Sequence, residues 1–302
     1  MKKILYLTLL LTACNSDQKA DLAYDTSVAN PAYTALHPKV LFDEAHNNFH
    51  TADGRYRPFA NLIRNDGYIV EQNKKQFTKE SLAGYSVLVI SNAKGKVEKY
   101  LSAFDEEECD AVRDWVENGG SLLLIADHYP MGSAAQPLAT RFGVTMGNGS
   151  VEDSLHFEGS PQWKDQLAFS RANKLLKSHP ITEGRNSSEQ IRKVVVFTGQ
   201  SLKGTADAQV LLELSSSAME TIPDSIWKAD GKTYTRFQGP YPIQGKCMGL
   251  AINFGKGRVV VLGEAACMTA QIDDTGKFGM NVPGNDNRQF ALNVMHWLSG
   301  LY

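Results

Sequence analysis

Blocks of apolar and polar residues follow one another along the chain, and their lengths and periods predict the elements. Ile4 to Leu11 is a short apolar block, led by Lys2 and Lys3 and broken at Leu11-Thr12-Ala13-Cys14. It is too short for a bilayer, which takes about 20 apolar residues. A positive start, a short apolar core and small residues at its end are the layout of an export signal. Asn15 to Asn30 is polar and reads as a tether. Lys39 to Phe42 then predicts a buried strand that runs straight into Asp43-Glu44-Ala45-His46. Tyr56 to Asp66 predicts a helix, with Phe59, Leu62 and Ile63 on one face and Gly67 as its stop. Tyr68 to Val70 and Ser86 to Ser91 predict two more strands. After Phe104, four acids from Asp105 to Glu108 crowd a first turn, where the helix dipole favours them. Val112, Trp115 and Val116 give that helix its apolar face, and Gly119-Gly120 end it. Ser121 to Ala126 follows as a wholly buried strand.

Strands apolar on both faces and separated by helices predict a mainly parallel sheet, covered on each side. Further on, His179 to Gly184 predicts a turn, and Lys193 to Phe197 and Ala208 to Leu214 predict strands. Ser215 to Lys246 is polar with scattered aromatics and predicts an excursion beyond the sheet. Met248 to Asn253 and Arg258 to Leu262 predict a hairpin through Phe254-Gly255-Lys256-Gly257. Asn287 to Leu301 predicts a closing helix packed through Phe290, Leu292, Val294 and Trp297. The expected organisation is a signal over residues 1–13, a lipidated cysteine and tether over 14–37, and one α/β domain with insertions over 38–302.

Composition agrees with a globule: 42% of the chain is hydrophobic and 21% charged, which supports a sizeable core. Without residues 1–13 the chain has 29 basic and 33 acidic side chains, and no basic patch, so a nucleic acid is not an expected partner. Cys109, Cys247 and Cys267 form an odd set without paired spacing, which argues against a disulfide framework. The pairing left open is Cys247 with Cys267. Thr12-Ala13-Cys14 resembles the lipobox of bacterial lipoproteins. That resemblance implies a diacylglycerol on the Cys14 thiol, cleavage before it and an acylated new amino terminus. Membrane attachment through several acyl chains is stable, at about 0.8 kcal/mol per buried methylene. Asn15 after the cysteine resembles the pattern sorted to the outer membrane.

Three further stretches carry a second resemblance: Val40 to His46, Trp115 to Ile125 and Gly257 to Glu264. Together they resemble the class I glutamine amidotransferase-like superfamily, in its branch of lipoproteins and gliding-motility or intraflagellar-transport type domains. His179-Pro180-Ile181-Thr182-Glu183-Gly184 is similar to a phrase before the later strands of such proteins. The resemblance implies a three-layer, flavodoxin-like α/β fold with a mainly parallel sheet. It also implies a nucleophilic cysteine on the turn after Ser121–Ala126. Here that turn is Asp127-His128-Tyr129-Pro130, with neither cysteine nor serine, so glutaminase activity is not expected.

In an open parallel sheet the ligand crevice lies beyond the carboxyl ends of the strands. Three polar clusters fall there: Asp43-Glu44-Ala45-His46 with His50, then Asp127-His128, then Gly263-Glu264-Ala265. Glu44, His46, Asp127, His128 and Glu264 are therefore the catalytic candidates. His46, His50, Asp127 and His128 would suit a divalent cation such as zinc. The plainer reading is that Asp43, Glu44 and Asp127 cap helices or brace loops. Asp286 or Asn287 is expected to cap the last helix, and Thr198 to Ser201 to form a turn or present N–H groups. Ser133 lacks the flanks of a nucleophile elbow, Cys267 reads as a buried thiol, and His296 as a packing residue. The aromatics between Trp227 and Tyr241 suit a sugar or the bracing of a loop. Two functions follow as expectations. One is an envelope protein that binds a small polar ligand or scaffolds a protein partner; the other is a hydrolase, metal-assisted or not, that uses the three clusters.

Overall fold

In the computed structural model the described residues are 18–94, 102–159, 164–230 and 232–302. The expected signal and Cys14 lie outside them. The strands are β1 (Lys19–Ala20), β2 (Lys39–Asp43), β3 (Ile69–Asn73), β4 (Val87–Ser91), β5 (Ser121–Ile125), β6 (Thr145–Met146) and β7 (Ser150–Asp153). Then come β8 (Ala168–Ser170), β9 (Lys193–Val195), β10 (Leu202–Lys203), β11 (Gln209–Glu213), β12 (Ala218–Ala229) and β13 (Lys232–Pro242). The last four are β14 (Cys247–Phe254), β15 (Gly257–Leu262), β16 (Ala270–Asp273) and β17 (Gly276–Gly279). The helices are α1 (Arg57–Asn65), α2 (Lys79–Leu82), α3 (Glu106–Glu117), α4 (Met131–Thr140), α5 (Pro180–Glu183) and α6 (Asn287–Leu298).

The apolar runs sort by alternation, because successive side chains of a strand leave opposite faces of the sheet. Phe42, Val89, Leu123, Ile125 and Val260 face one side, against Phe59, Leu62 and Ile63 of α1 and Phe290, Val294 and Trp297 of α6. Leu41, Leu88, Leu122, Leu124 and Val261 face the other, against Val112 and Val116 of α3 and Leu138 of α4. The central sheet runs β3-β2-β4-β5-β15-β14-β10-β6, with β11 also on β14. Its β3 to β15 stretch is parallel throughout; β14, β10 and β6 continue antiparallel. The result is a mixed α/β domain with a mostly parallel central sheet.

Several expectations change in detail. The hairpin is β14–β15, and the excursion is the ribbon β12–β13, whose base is flanked by β7. Helix α4, right after Asp127 to Pro130, was not foreseen; its small and mixed residues carry little periodicity. The polar stretch expected as a tether is laid on the domain from Gln18 onward. There β1 pairs with β16, Asp21 N donates to Ala270 O at 2.9 Å, and Tyr24, Val28 and Tyr33 pack on the core. An open sheet edge accepts such a strand whatever its polarity, since the ladder uses only backbone groups. Cys109, Cys247 and Cys267 are free and buried, so the Cys247–Cys267 pairing is not made.

Candidate functional site

The first polar cluster divides at the end of β2. Asp43 and His46 turn to the α3 side, where His46 lies between the rings of Phe77 and Phe104, with centroids at 4.8 and 4.7 Å. Its Nδ1 meets Asp43 at 2.9 Å and its Nε2 meets Glu108 Oε1 at 2.8 Å. Burial opposes charge on this ring, but the hydrogen bonds and charges of Asp43 and Glu108 outweigh it and hold the imidazolium up to about 9. Glu108 also closes the capping box of α3 with Asp105. His46 is therefore a clamp between the β2 loop and α3, with both nitrogens spent. Glu44 accepts from Ala52 N at 2.8 Å and pairs with Lys74, and so braces its own loop.

His50 lies on the α1 side instead. It stacks on Tyr56 at 4.7 Å and 25° and bonds Ser91 Oγ through Nδ1 at 3.0 Å. Burial, then the positive charges of Arg55 and Lys94, hold it down to about 3, so it is neutral. His128 is exposed, with Nδ1 3.0 Å from the Tyr129 carbonyl oxygen. The expected metal set of His46, His50, Asp127 and His128 is thus not assembled, because the sheet separates His46 from His50. Among the described residues no group of three or more His, Cys, Asp or Glu side chains is placed to hold a metal ion.

The second and third clusters do converge. Leu262 is paired with Ile125 in the parallel ladder of β15 and β5. Two residues further on, Asp127 and Glu264 emerge side by side at the strand ends. Glu264 is 1% exposed, and its two oxygens accept from Ala266 N at 2.5 Å and Cys267 N at 2.8 Å. Burial, then the negative charge of Asp127, push its carboxyl up to about 8. Asp127 is only partly covered; it accepts from His128 N at 2.9 Å, and its own N–H donates to Asn92 Oδ1 at 2.9 Å. Burial also raises the Asp127 carboxyl, against the nearby His128. Glu264 therefore keeps its proton near neutral pH. Neither carboxyl has a Lys or Arg ion pair among the described residues. Tyr56 closes the floor by donating to Ala265 O at 2.5 Å.

Thr198 to Gln200 braces this pair. Thr198 sits at φ +77°, a strained conformation for a β-branched residue. Its hydroxyl donates to Asp165 Oδ2 at 2.5 Å. Gly199 packs on the strand end so closely that a Cβ there would lie 2.6 Å from Gly263 O and 2.8 Å from Glu264 Cβ. Gln200 Nε2 donates to Ala126 O at 2.8 Å and Asp127 O at 2.9 Å. In the sequence this stretch reads as a turn or as a set of presented N–H groups; the amide that ties β5 to it has no signal beyond its place after a strand.

The remaining candidates have structural roles. Ser133 N donates to Asn148 Oδ1 at 3.1 Å in the first turn of α4. Cys267 is buried, and burial followed by the charge of Glu264 pushes its thiol well above the usual range. Asp286 makes no side-chain cap; it accepts from Arg192 N and Lys193 N at 2.7 and 3.0 Å. Asn287 exchanges two hydrogen bonds with Val195. His296 is buried and paired with Asp66 at 2.6 Å. Trp227 stacks on Tyr234 across the ribbon, and Phe237 meets Tyr129 beside the Asp127 turn. A cavity of about 440 Å³ lies away from all of this, between Asp21–Asp25 and Lys277–Arg288. It has no buried acid pair, so the chemistry marks the strand ends rather than this hollow.

No protein-family model and no curated protein matches the chain. Among solved structures, the N-terminal domain of mmIFT52 is similar, with a TM-score of 0.60 at 15% identity, covering 87% of this chain and 97% of that one. A ThuA-like protein from Bacteroides uniformis aligns at a TM-score of 0.44 and 18% identity, over 89% of this chain and 94% of its own. The chain shares the fold of the IFT52 domain, and at such identity the likeness concerns the fold alone.

Proposed function

We propose that this chain is a cell-envelope lipoprotein, anchored at the outer membrane by lipid on Cys14. Its domain, of the flavodoxin-like glutamine amidotransferase-like class, binds a small polar ligand at Asp127 without glutaminase activity. The observation that carries the reading is the acid pair. A carboxyl sealed from water beside a second one costs several kcal/mol unless a cation compensates it, and packing alone would be served better by apolar residues. Asp127 is the member that a ligand reaches; Glu264, sealed beneath it, is a positioning residue that sets its charge. A ligand hydroxyl or amine that donates to Asp127 would relieve the crowding.

The proton held by Glu264 also suits a hydrolase, since paired carboxyls with separated titrations divide the roles of acid and base. Glu264 has both oxygens spent on backbone N–H groups, however, which favours binding. The test is a thermal-shift titration with N-acetylglucosamine and glucose, as hydroxyl-rich probes, of wild type and Asp127→Asn. A saturable rise in Tm that the variant loses supports the site. Equal responses from the two proteins, or none, overturn it, and release of reducing sugar from a glycoside probe would bring the hydrolase forward.

A further inference from the structure

The arm that leads back toward Cys14 does not leave the domain at an arbitrary place. Gln18 Oε1 accepts from Arg55 Nη1 at 3.1 Å. Arg55 is itself held by its carbonyl, which accepts from Thr269 Oγ1 at 3.0 Å at the end of the turn that supplies the Glu264 N–H donors. The chain therefore emerges beside the turn that follows Glu264. Four residue steps separate Gln18 from Cys14, and a fully extended chain covers about 14 Å in four steps. A lipid on Cys14 would keep this end of the sheet within that distance of the bilayer.

The same end of the sheet carries a cationic, aromatic rim, tied to Asp127 through Asn92. Phe49 is 38% exposed. Arg55 Cζ lies 3.9 Å from its ring centre and Lys94 Nζ 4.3 Å. Partial burial, then repulsion from Arg55, lowers the Lys94 ammonium. The loops that bear these groups are fixed to each other, since Phe49 N donates to Asn92 O at 2.9 Å and Lys94 N to His46 O at 3.2 Å. The Lys94 ammonium beside an exposed ring suits an anion at an apolar boundary. An anionic leaflet presents that combination, phosphates above acyl chains.

We propose that the acid-pair site faces the membrane that holds the anchor, with Lys94 beside Phe49 seated on the phosphate of an anionic lipid headgroup. The inference rests on lipidation of Cys14. It restricts the ligand of Asp127 to molecules presented at, or diffusing along, the lipid surface.

The test uses the full lipidated chain in vesicles, with a nitroxide on Asp53→Cys near this rim or on Lys256→Cys at the opposite end of β15. Cys109, Cys247 and Cys267 are buried and stay unlabelled in the folded protein. Nickel-chelating lipids then relax whichever label lies near the headgroups. Expected is a several-fold larger relaxation at position 53 than at 256. The signal at 53 should rise further in phosphatidylglycerol vesicles than in phosphatidylcholine, and Lys94→Glu should remove that rise. Equal relaxation at the two positions, or stronger at 256, in a chain whose intact mass shows the acyl groups overturns the orientation alone. A chain without the acyl mass overturns the anchor and this inference together. Loss of the phosphatidylglycerol effect in millimolar inorganic phosphate would identify a free anion as the ligand and refute the headgroup.

Discussion

Glu264→Gln should change from a destabilising to a stabilising substitution as the pH rises. Burial and the Asp127 charge hold the native carboxyl up at about 8, against about 4.3 in an unfolded chain. Between those values the folded protein keeps a proton that the unfolded chain has released. Wild-type stability therefore falls with rising pH, by roughly 1.4 kcal/mol per pH unit, and the loss is complete above about pH 8. From pH 5 to 8 this amounts to about 4 kcal/mol at most. Glutamine does not ionise and has no such slope. It carries a different cost, because Ala266 N and Cys267 N each need an acceptor and the amide offers one oxygen. A lost hydrogen bond of this kind costs about 1–2 kcal/mol at every pH. The variant should be the weaker protein below about pH 5, cross the wild type at about pH 5 to 6 and be the stronger near pH 8. Urea denaturation followed by tryptophan fluorescence, in half-unit pH steps, measures the difference, and other titrating groups cancel between the two proteins. Asp127→Asn should move the end of the slope to lower pH, since burial remains but the neighbouring charge is gone. A difference between wild type and Glu264→Gln that stays constant across the whole range would refute the reasoning.

The other predictions concern the frame of the site. His46→Ala leaves Asp43 and Glu108 buried without their shared cation and should cost about 3–5 kcal/mol near pH 6. His46 is raised to about 9 in the folded protein, so its contribution is complete below about 6.5 and disappears as pH rises through 9. Denaturation at pH 6 and pH 9.5 checks this, and an equal loss at the two values would contradict the clamp. Gly199→Ala drives a methyl into Gly263 O and Glu264 and should cost about 1–3 kcal/mol; an unchanged Tm would mean that the turn does not brace the pair. Cys267 should resist iodoacetamide in the folded protein and react on unfolding, as peptide mass mapping would show.

Much of the fold was legible because element type is a local property. The runs at Val40–Phe42, Val87–Ser91 and Ser121–Ile125 are apolar at every position, and each became a parallel strand buried on both faces. Asp105 to Glu108 marked the start of α3 by their charge. The acid there proved to have two duties, since Glu108 also holds His46 across 62 residues of sequence. Nothing local announces that partner. The attachment of the arm from Gln18 to Ser27 is not legible for a related reason: its hold on the domain comes from backbone pairing and from single contacts, which leave no periodicity in the side chains.

The chain by itself determined the order and kind of its main elements, the lack of cysteine or serine in the Asp127–Pro130 turn and the placing of three acid or histidine clusters at strand ends. Those features depend on spacing within a few residues, which the chain carries wherever it lies. Which clusters meet was decided by the tertiary structure. Strand order put β15 beside β5 and set Glu264 against Asp127, while the sheet came between His46 and His50. Alternation across a sheet and adjacency within it depend on how distant segments pair, and so two neighbouring histidines parted while two distant acids came together.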